Sequence, residues 1–332
     1  LGSDGNFRTT QLLSTSHVIA ATPSGRHILI EGSGCKGGQA FGAYLCDVQT
    51  GQGSGLLPQH VRRGVTLSDD ASHLAFHTNR DGVVPFDNNG RYDVFGYEFA
   101  SGRIRALNVG PEGWLGDAAA YLVETTNTRA YFISSASDLL PGAEGTLLYA
   151  SDRATGRLSV ESVDSTGAAV PILAAAAARG GAALAYRLAT GEWVHRSLAD
   201  SRIVPLLGEG DAAAASRLTL ASDGASAFYQ TRAADEHQAW KVVPGGAPVR
   251  INRDEANQPF PFLSEMVPSA NGRYVAFQED TPAGSLYRVV DTTNGATRYA
   301  LVDALSVLSV GNDGRTLLVR GIDSTLLRLV AP

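Results

Sequence analysis

Short apolar runs alternate with polar turns along the whole chain, and one phrase keeps returning: polar turn, strand-like run, loop, aromatic-rich run, then Asp-x-x-Thr-Gly or a relative of it. It reads SDDASHLAF at 68–76 and SANGRYVAF at 269–277, with fainter copies TPSGRHILI at 22–30, ASDGASAFY at 221–229 and GNDGRTLLV at 311–319. Alternation bounded by Gly, Asn, Asp and Ser signals strands, and no segment apart from the ambiguous 171–178 run carries a helical stripe with caps. The chain therefore reads as all-β. A unit of this length cannot bury its apolar face alone, so each copy must pack on its neighbours.

Four strands per copy give 17–22, 26–32, 43–48 and a short outer strand before Pro58 for the first, and 64–68, 73–78, 93–99 and 103–108 for the second. The third takes 118–124, 129–134, 146–151 and 157–163, and the fourth 170–176, 182–188, 192–198 and 201–207. The fifth covers 217–222, 226–232, 238–243 and 248–252, the sixth 263–269, 273–278, 285–290 and 296–302. The seventh supplies only 305–310, 315–320 and 325–330, while a strand-like run, NFRTTQLLS at 6–14, stands unused before the first copy. Pairing 6–14 antiparallel with 325–330 would remove an open edge. Seven copies over 332 residues is about 47 each, close to the four-stranded blade repeat. The expectation is a seven-bladed β-propeller forming a single domain, 1–332, with the last blade closed by the N-terminal strand. A six-bladed count is the alternative, and it turns on 160–216.

Composition narrows the functions. Hydrophobic residues make up 44 % and charged ones 18 %, and no run of 18 apolar residues spans a bilayer. The net charge is −6 and Lys36 and Lys241 are the only lysines, which argues against nucleic acid as a partner. Cys35 and Cys46 flank a Gly-rich loop, and two strands folding back across it would bring them within bonding distance, so a disulfide is one expectation. No signal peptide is present and the chain begins at Leu1 without Met, as a processed or a trimmed chain would, and export is the expectation drawn from that missing start. A closed ring of blades leaves few edges, so a monomer is expected.

The second copy, with SDDASHLAFH, VVPFDNNGRYDVFGYEF and ASG, resembles the TolB-like, WD-type propeller repeat of bacterial periplasmic and secreted proteins. The third keeps FISSASDLLP and DRATG, and the sixth NGRYVAF and DTTNG. The resemblance implies the propeller fold and residence outside the cytoplasm. It implies no single activity, because such repeats occur in binding scaffolds, in lyases and beside peptidase domains.

In a four-stranded blade the loops from second to third strand and from blade to blade emerge on one face, around the central channel. That places His17, His60, Arg62, Arg63, His77, Arg80, Trp114, Glu236, His237, Arg253, Phe260 and Glu279 in or near one mouth. The longest polar insertion, 77–93, carries Asp87, Asn89 and Asp93 at a spacing that would offer calcium its oxygen ligands, although Asx side chains also cap turns. Apart from calcium, no cofactor is expected. There is no Gly-x-Ser-x-Gly elbow, no His-Glu-x-x-His and no appended hydrolase, and His195 beside Trp193 reads as a packed residue.

Two functions fit. The first is a binding propeller that recognises a protein, peptide or glycan through the loop face, with His17, Arg80, Trp114, Arg253, Phe260 and Phe262 as contacts, since aromatic and Arg side chains dominate such surfaces. The second is a lyase in which His77 or His237 serves as base and Arg62, Arg63 or Arg253 stabilises the developing anion.

Overall fold

The computed structural model describes residues 8–13, 16–22, 24–32, 35, 43–57, 64–208, 210–211, 215–233, 236–254, 256–262, 266–281, 284–302, 304–321 and 326–330. The fold is the seven-bladed β-propeller, built of seven four-stranded antiparallel sheets. By contact the chain divides into two compact units, 1–56 with 214–332, and 57–213. No helix among the described residues is long and apolar enough to cross a membrane.

The first unit holds four sheets. One is β2 (Ser16–Ala21), β3 (His27–Gly32), β4 (Ala43–Asp47) and β5 (Gly53–Leu57), in that order. Two more are β18 (Ser216–Leu220), β19 (Ala227–Ala233), β20 (Glu236–Val242), β21 (Val249–Arg250), and β22 (Met266–Pro268), β23 (Tyr274–Thr281), β24 (Gly284–Asp291), β25 (Thr297–Val302). The last runs β26 (Ala304–Val310), β27 (Thr316–Gly321), β28 (Leu326–Val330), and its outer place is taken by β1 (Arg8–Leu13). β1 pairs antiparallel with β28 from Arg8↔Val330 to Leu13↔Leu326, as the unused N-terminal run predicts.

The second unit holds three sheets: β6 (Val65–Leu67), β7 (His73–Thr78), β8 (Asp93–Glu98), β9 (Arg103–Ala106); β10 (Ala120–Thr125), β11 (Arg129–Ser134), β12 (Leu147–Asp152), β13 (Leu158–Val160); and β14 (Ile172–Ala177), β15 (Ala183–Leu188), β16 (Trp193–Ser197), β17 (Ile203–Leu207). The alanine run is thus the strand β14, and its small side chains sit in a core with Leu148, Leu184 and Tyr186. His195 is buried on β16, as its reading as a packed residue expects.

The recurrent polar phrase is a hairpin turn whose first hydroxyl ties both ends. Ser68 Oγ donates to Asp70 Oδ1 (2.7 Å) and His73 O (2.9 Å) and accepts from His73 N (3.2 Å). Ser269 does the same work with Asn271 (2.8 Å) and Tyr274 N (3.0 Å). The turn needs a left-handed residue, supplied by Gly272 at φ +63°, whereas the second sheet has Ala71 there at φ 54°.

A second recurrent device joins outer strand to next blade. A buried Asn108, Ser162 or Asn252 follows β9, β13 or β21 and accepts the N–H of Val94 (2.9 Å), Leu148 (3.1 Å) or Ala239 (3.1 Å). Each then opens a small hairpin closed by one bridge, Val109↔Leu115, Val163↔Ala169 or Arg253↔Pro259. The left-handed corner of each is Gly113, Gly167 or Asn257.

Cys35 and Cys46 form a disulfide, with Cα atoms 6.1 Å apart. Cys46 lies on β4, and Cys35 falls just beyond β3 rather than on it; both are buried with Ile28, Ile30, Leu318 and Leu326. Closing a loop this short stabilises by about 2–3 kcal/mol in the chain-entropy picture. Reduction is expected to lower the melting temperature by about 5–10 °C. Differential scanning calorimetry with and without a reductant checks this, and an unchanged midpoint would show that the native packing alone holds the two sulfurs together.

Candidate functional site

The loop between β7 and β8 is folded by its own Asx side chains. Gly90 N donates to Asp81 Oδ1 (2.8 Å), Val83 N to Asp87 Oδ2 (3.1 Å) and Arg91 N to Asn89 Oδ1 (2.8 Å). Asp93 Oδ1 accepts Asn108 Nδ2 (2.7 Å), and burial pushes its carboxyl upward. Asp87, Asn89 and Asp93 therefore have loop-holding partners. Among the described residues no three His, Cys, Asp or Glu side chains gather as metal ligands.

This loop delivers Tyr92 to a neighbour it never meets in sequence. Ala120 N donates to Tyr92 O (2.7 Å), so the ring of Tyr92 stands 5.4 Å from that of Tyr121, one residue along β10. His77, late in β7, packs edge-on to both, at 5.8 and 5.9 Å. Gly64 lies against the imidazole, at φ +56°, where any Cβ would collide with the ring. Among the described residues His77 Nδ1 is buried with no hydrogen-bond partner, and burial holds the imidazole below its ordinary pKa. Tyr92 and Tyr121 are 38 % and 48 % exposed, an unusual pair of open aromatic rings.

Trp114 is 64 % exposed at the tip of the Val109–Leu115 hairpin and meets Phe86 edge-on at 6.5 Å. Arg80 is exposed beside the same loop, its backbone N bonded to Thr78 Oγ1 (3.3 Å). Arg91 donates to the carbonyl of Asp117. In the second unit His77 thus meets two tyrosines absent from the sequence reading, while Trp114 meets Phe86 and Arg80 stands exposed in the loop. The signal of the tyrosines was faint: Tyr121 is a large aromatic one place along from the buried Ala120, hence on the other face of β10.

The candidates in the other unit divide differently. The expected 232–238 loop is a tight hairpin, because β19 and β20 run on and pair Arg232 with His237 and Ala233 with Glu236. His237 is therefore a strand residue, its ring 6.0 Å from Phe262. Phe260 and Phe262 are core, not exposed contacts: they are 5 % and 6 % exposed and pack on Phe277 at 5.4 and 5.1 Å. Their alternation along an extended segment turns both inward. Glu279 is likewise buried, held by Arg288 Nε (2.5 Å) and Nη2 (3.2 Å), and the Arg288 guanidinium covers the Phe260 ring at 4.2 Å. Arg253 Nη1 donates to Asn257 O (2.8 Å), fastening its own hairpin. His17 lies on β2 opposite Glu31. His60, Arg62 and Arg63 lie outside the described residues.

No family model matches the chain, and no curated protein matches it by sequence. Solved structures do match. An oligogalacturonate lyase from Vibrio parahaemolyticus superposes with a TM-score of 0.63 at 12 % identity, covering 99 % of both chains. An oligogalacturonate lyase in complex with manganese gives 0.59 at 13 % identity, covering 100 % of this chain and 99 % of that one. The β-propeller domain of Cps50 (Swd1) from Myceliophteria thermophila gives 0.54 at 12 %, covering 98 % and 100 %. At such identity the likeness is one of fold, and the TolB-like resemblance of the repeats stands at the same level, that of the propeller.

Proposed function

We propose that this chain is a binding propeller that recognises a glycan or peptide through the loop face of the sheets β6–β9 and β10–β13. One observation carries the reading: Tyr92 and Tyr121 stand side by side, open to solvent, held by a backbone bond and backed by His77. Rigid aromatic rings bury large areas with little entropy loss, and their faces stack on sugar rings or apolar side chains. Trp114 and Arg80 would extend the contact at its rim. The Asx residues of the loop serve to hold it rather than to bind calcium. The disulfide fits export to an oxidising compartment, and the chain acts as a monomer.

The test begins with glycan and peptide arrays probed with the unaltered protein. For any ligand so found, Tyr92→Ala combined with Tyr121→Ala should lower affinity at least about tenfold, and Trp114→Ala severalfold, with the melting temperature unmoved. Full affinity in the tyrosine double variant would remove this face.

A second reading rests on His77, whose imidazole stands beside the open Tyr92 and Tyr121 rings and would serve as general base. The structurally similar oligogalacturonate lyases make a uronate oligosaccharide the first substrate to try. A lyase would abstract the proton beside the carboxylate and expel the glycosidic oxygen, leaving an unsaturated uronate with its own ultraviolet absorbance. Turnover lost in His77→Gln would favour this reading, and absence of the chromophore would discard it.

A further inference from the structure

The sheets β6–β9 and β10–β13 line a half-open cavity of about 500 Å³ at the end opposite the aromatic patch. Its wall begins at His73, whereas His77 lies at the far end of the same strand, about 13 Å away at the rise of an extended chain. Leu107 and Ala130 show at its floor, over the buried Ala75, and the rim carries Arg103, Arg105 and Arg153 with Tyr97, Glu98 and Asp152. The volume suits a small organic molecule.

The charges around the cavity do not cancel. Glu98 is taken by Arg153 Nη2 (3.2 Å) and by Ser101 Oγ (2.8 Å). Asp152 spends its carboxylate on its own turn, accepting Thr155 N and Oγ1, both at 2.8 Å. Arg105 reaches only the carbonyl of Asp152, at 3.4 Å, and among the described residues neither it nor Arg103 forms an ion pair. Arg105 is held below its ordinary pKa by burial and by the neighbouring guanidiniums of Arg103 and Arg153. Like charges crowded over an apolar floor are relieved by an anion, and a guanidinium fork matches carboxylate and phosphate oxygens.

We propose that this cavity binds a small organic anion, its carboxylate or phosphate held by Arg105 and Arg103 and its apolar body resting on Leu107 and Ala130. The site is separate from the loop face, so it stands or falls independently of the function proposed above. His73 supplies a reporter inside it. Its imidazole is buried, faces Asp70, Glu98, Arg105 and Arg153, and is lowered to about 4, first by desolvation and then by Arg153. A bound anion offsets those guanidiniums and raises that pKa. The expected sign is an upward shift of the His73 titration on binding, read at a pH where the ligand keeps its charge.

Phenyl phosphate, benzoate, inorganic phosphate and benzyl alcohol are the probes, followed by the His73 ring signals in NMR and by calorimetry on the whole chain. Phenyl phosphate or benzoate should shift His73 saturably and raise its pKa, benzyl alcohol should not, and inorganic phosphate should bind more weakly for want of an apolar body. Arg105→Gln should weaken binding about tenfold or more, the worth of a charge-assisted hydrogen bond. Arg103→Gln, an exposed and unpaired position that cannot threaten the fold, should weaken it severalfold. Equal binding of benzyl alcohol, no shift of His73 with any anion, or unchanged affinity in both arginine variants would overturn the proposal.

Discussion

A chain lacking residues 1–14 will melt at least about 10 °C below the complete one, and will associate as it does so. β1 forms the outer strand of the last sheet, with residue pairs from Arg8↔Val330 to Leu13↔Leu326, and without it β28 becomes an open edge. Five lost backbone pairings at about 1 kcal/mol each amount to about 5 kcal/mol, which corresponds to 10–20 °C for a unit of this size. The exposed row of N–H and C=O groups would then recruit other chains. Scanning calorimetry and size-exclusion chromatography read both effects, and adding a peptide of residues 6–14 should restore the midpoint. A truncated chain that melts within about 2 °C of the original would mean that β1 contributes nothing to closure.

Replacing Phe260 by Ala should cost about 3–5 kcal/mol, the usual loss for emptying a buried aromatic site. The ring is 5 % exposed, sits edge-on to Phe277 and lies beneath the Arg288 guanidinium, so its removal also strips the cover from the Glu279–Arg288 pair. Phe260→Leu, which keeps most of the volume, should cost less than half as much. Urea unfolding separates the two. A Phe260→Ala protein of unaltered stability that loses a ligand would return Phe260 to the surface role first expected of it.

The contrast between those two segments shows what a single sequence can disclose. NFRTTQLLS was legible because a strand with no partner and a sheet lacking a strand are both visible by counting. The turn phrase was legible because Ser68 and Ser269 act on residues five places away. Phe260 was misjudged because 253–262 looked like a loop, yet Asn252 ties it down from within, donating to Phe260 O at 2.9 Å. The hairpin at 233–236 was misjudged in the same way, its polar Glu236 and His237 reading as loop when they continue a strand. Tyr92 beside Tyr121, and Arg105 beside Arg153, are products of one blade meeting the next. Alternation along a strand tells which way a side chain faces and is silent about which blade it will face.

The hairpins pinned by Asn108, Ser162 and Asn252 share one frame: a buried polar anchor, a single bridge, five residues between, and a left-handed fourth position. Only the frame is dictated by the core, and the contents already differ, GPEGW at 110–114, DSTGA at 164–168 and DEANQ at 254–258. These are interchangeable cassettes. A pentapeptide moved from one to another, provided Gly or Asn keeps the corner, would arrive in the same posture on a different blade. Natural drift could thus change what the protein meets without disturbing what holds it together, and a designer could write new recognition into three places on an unaltered scaffold.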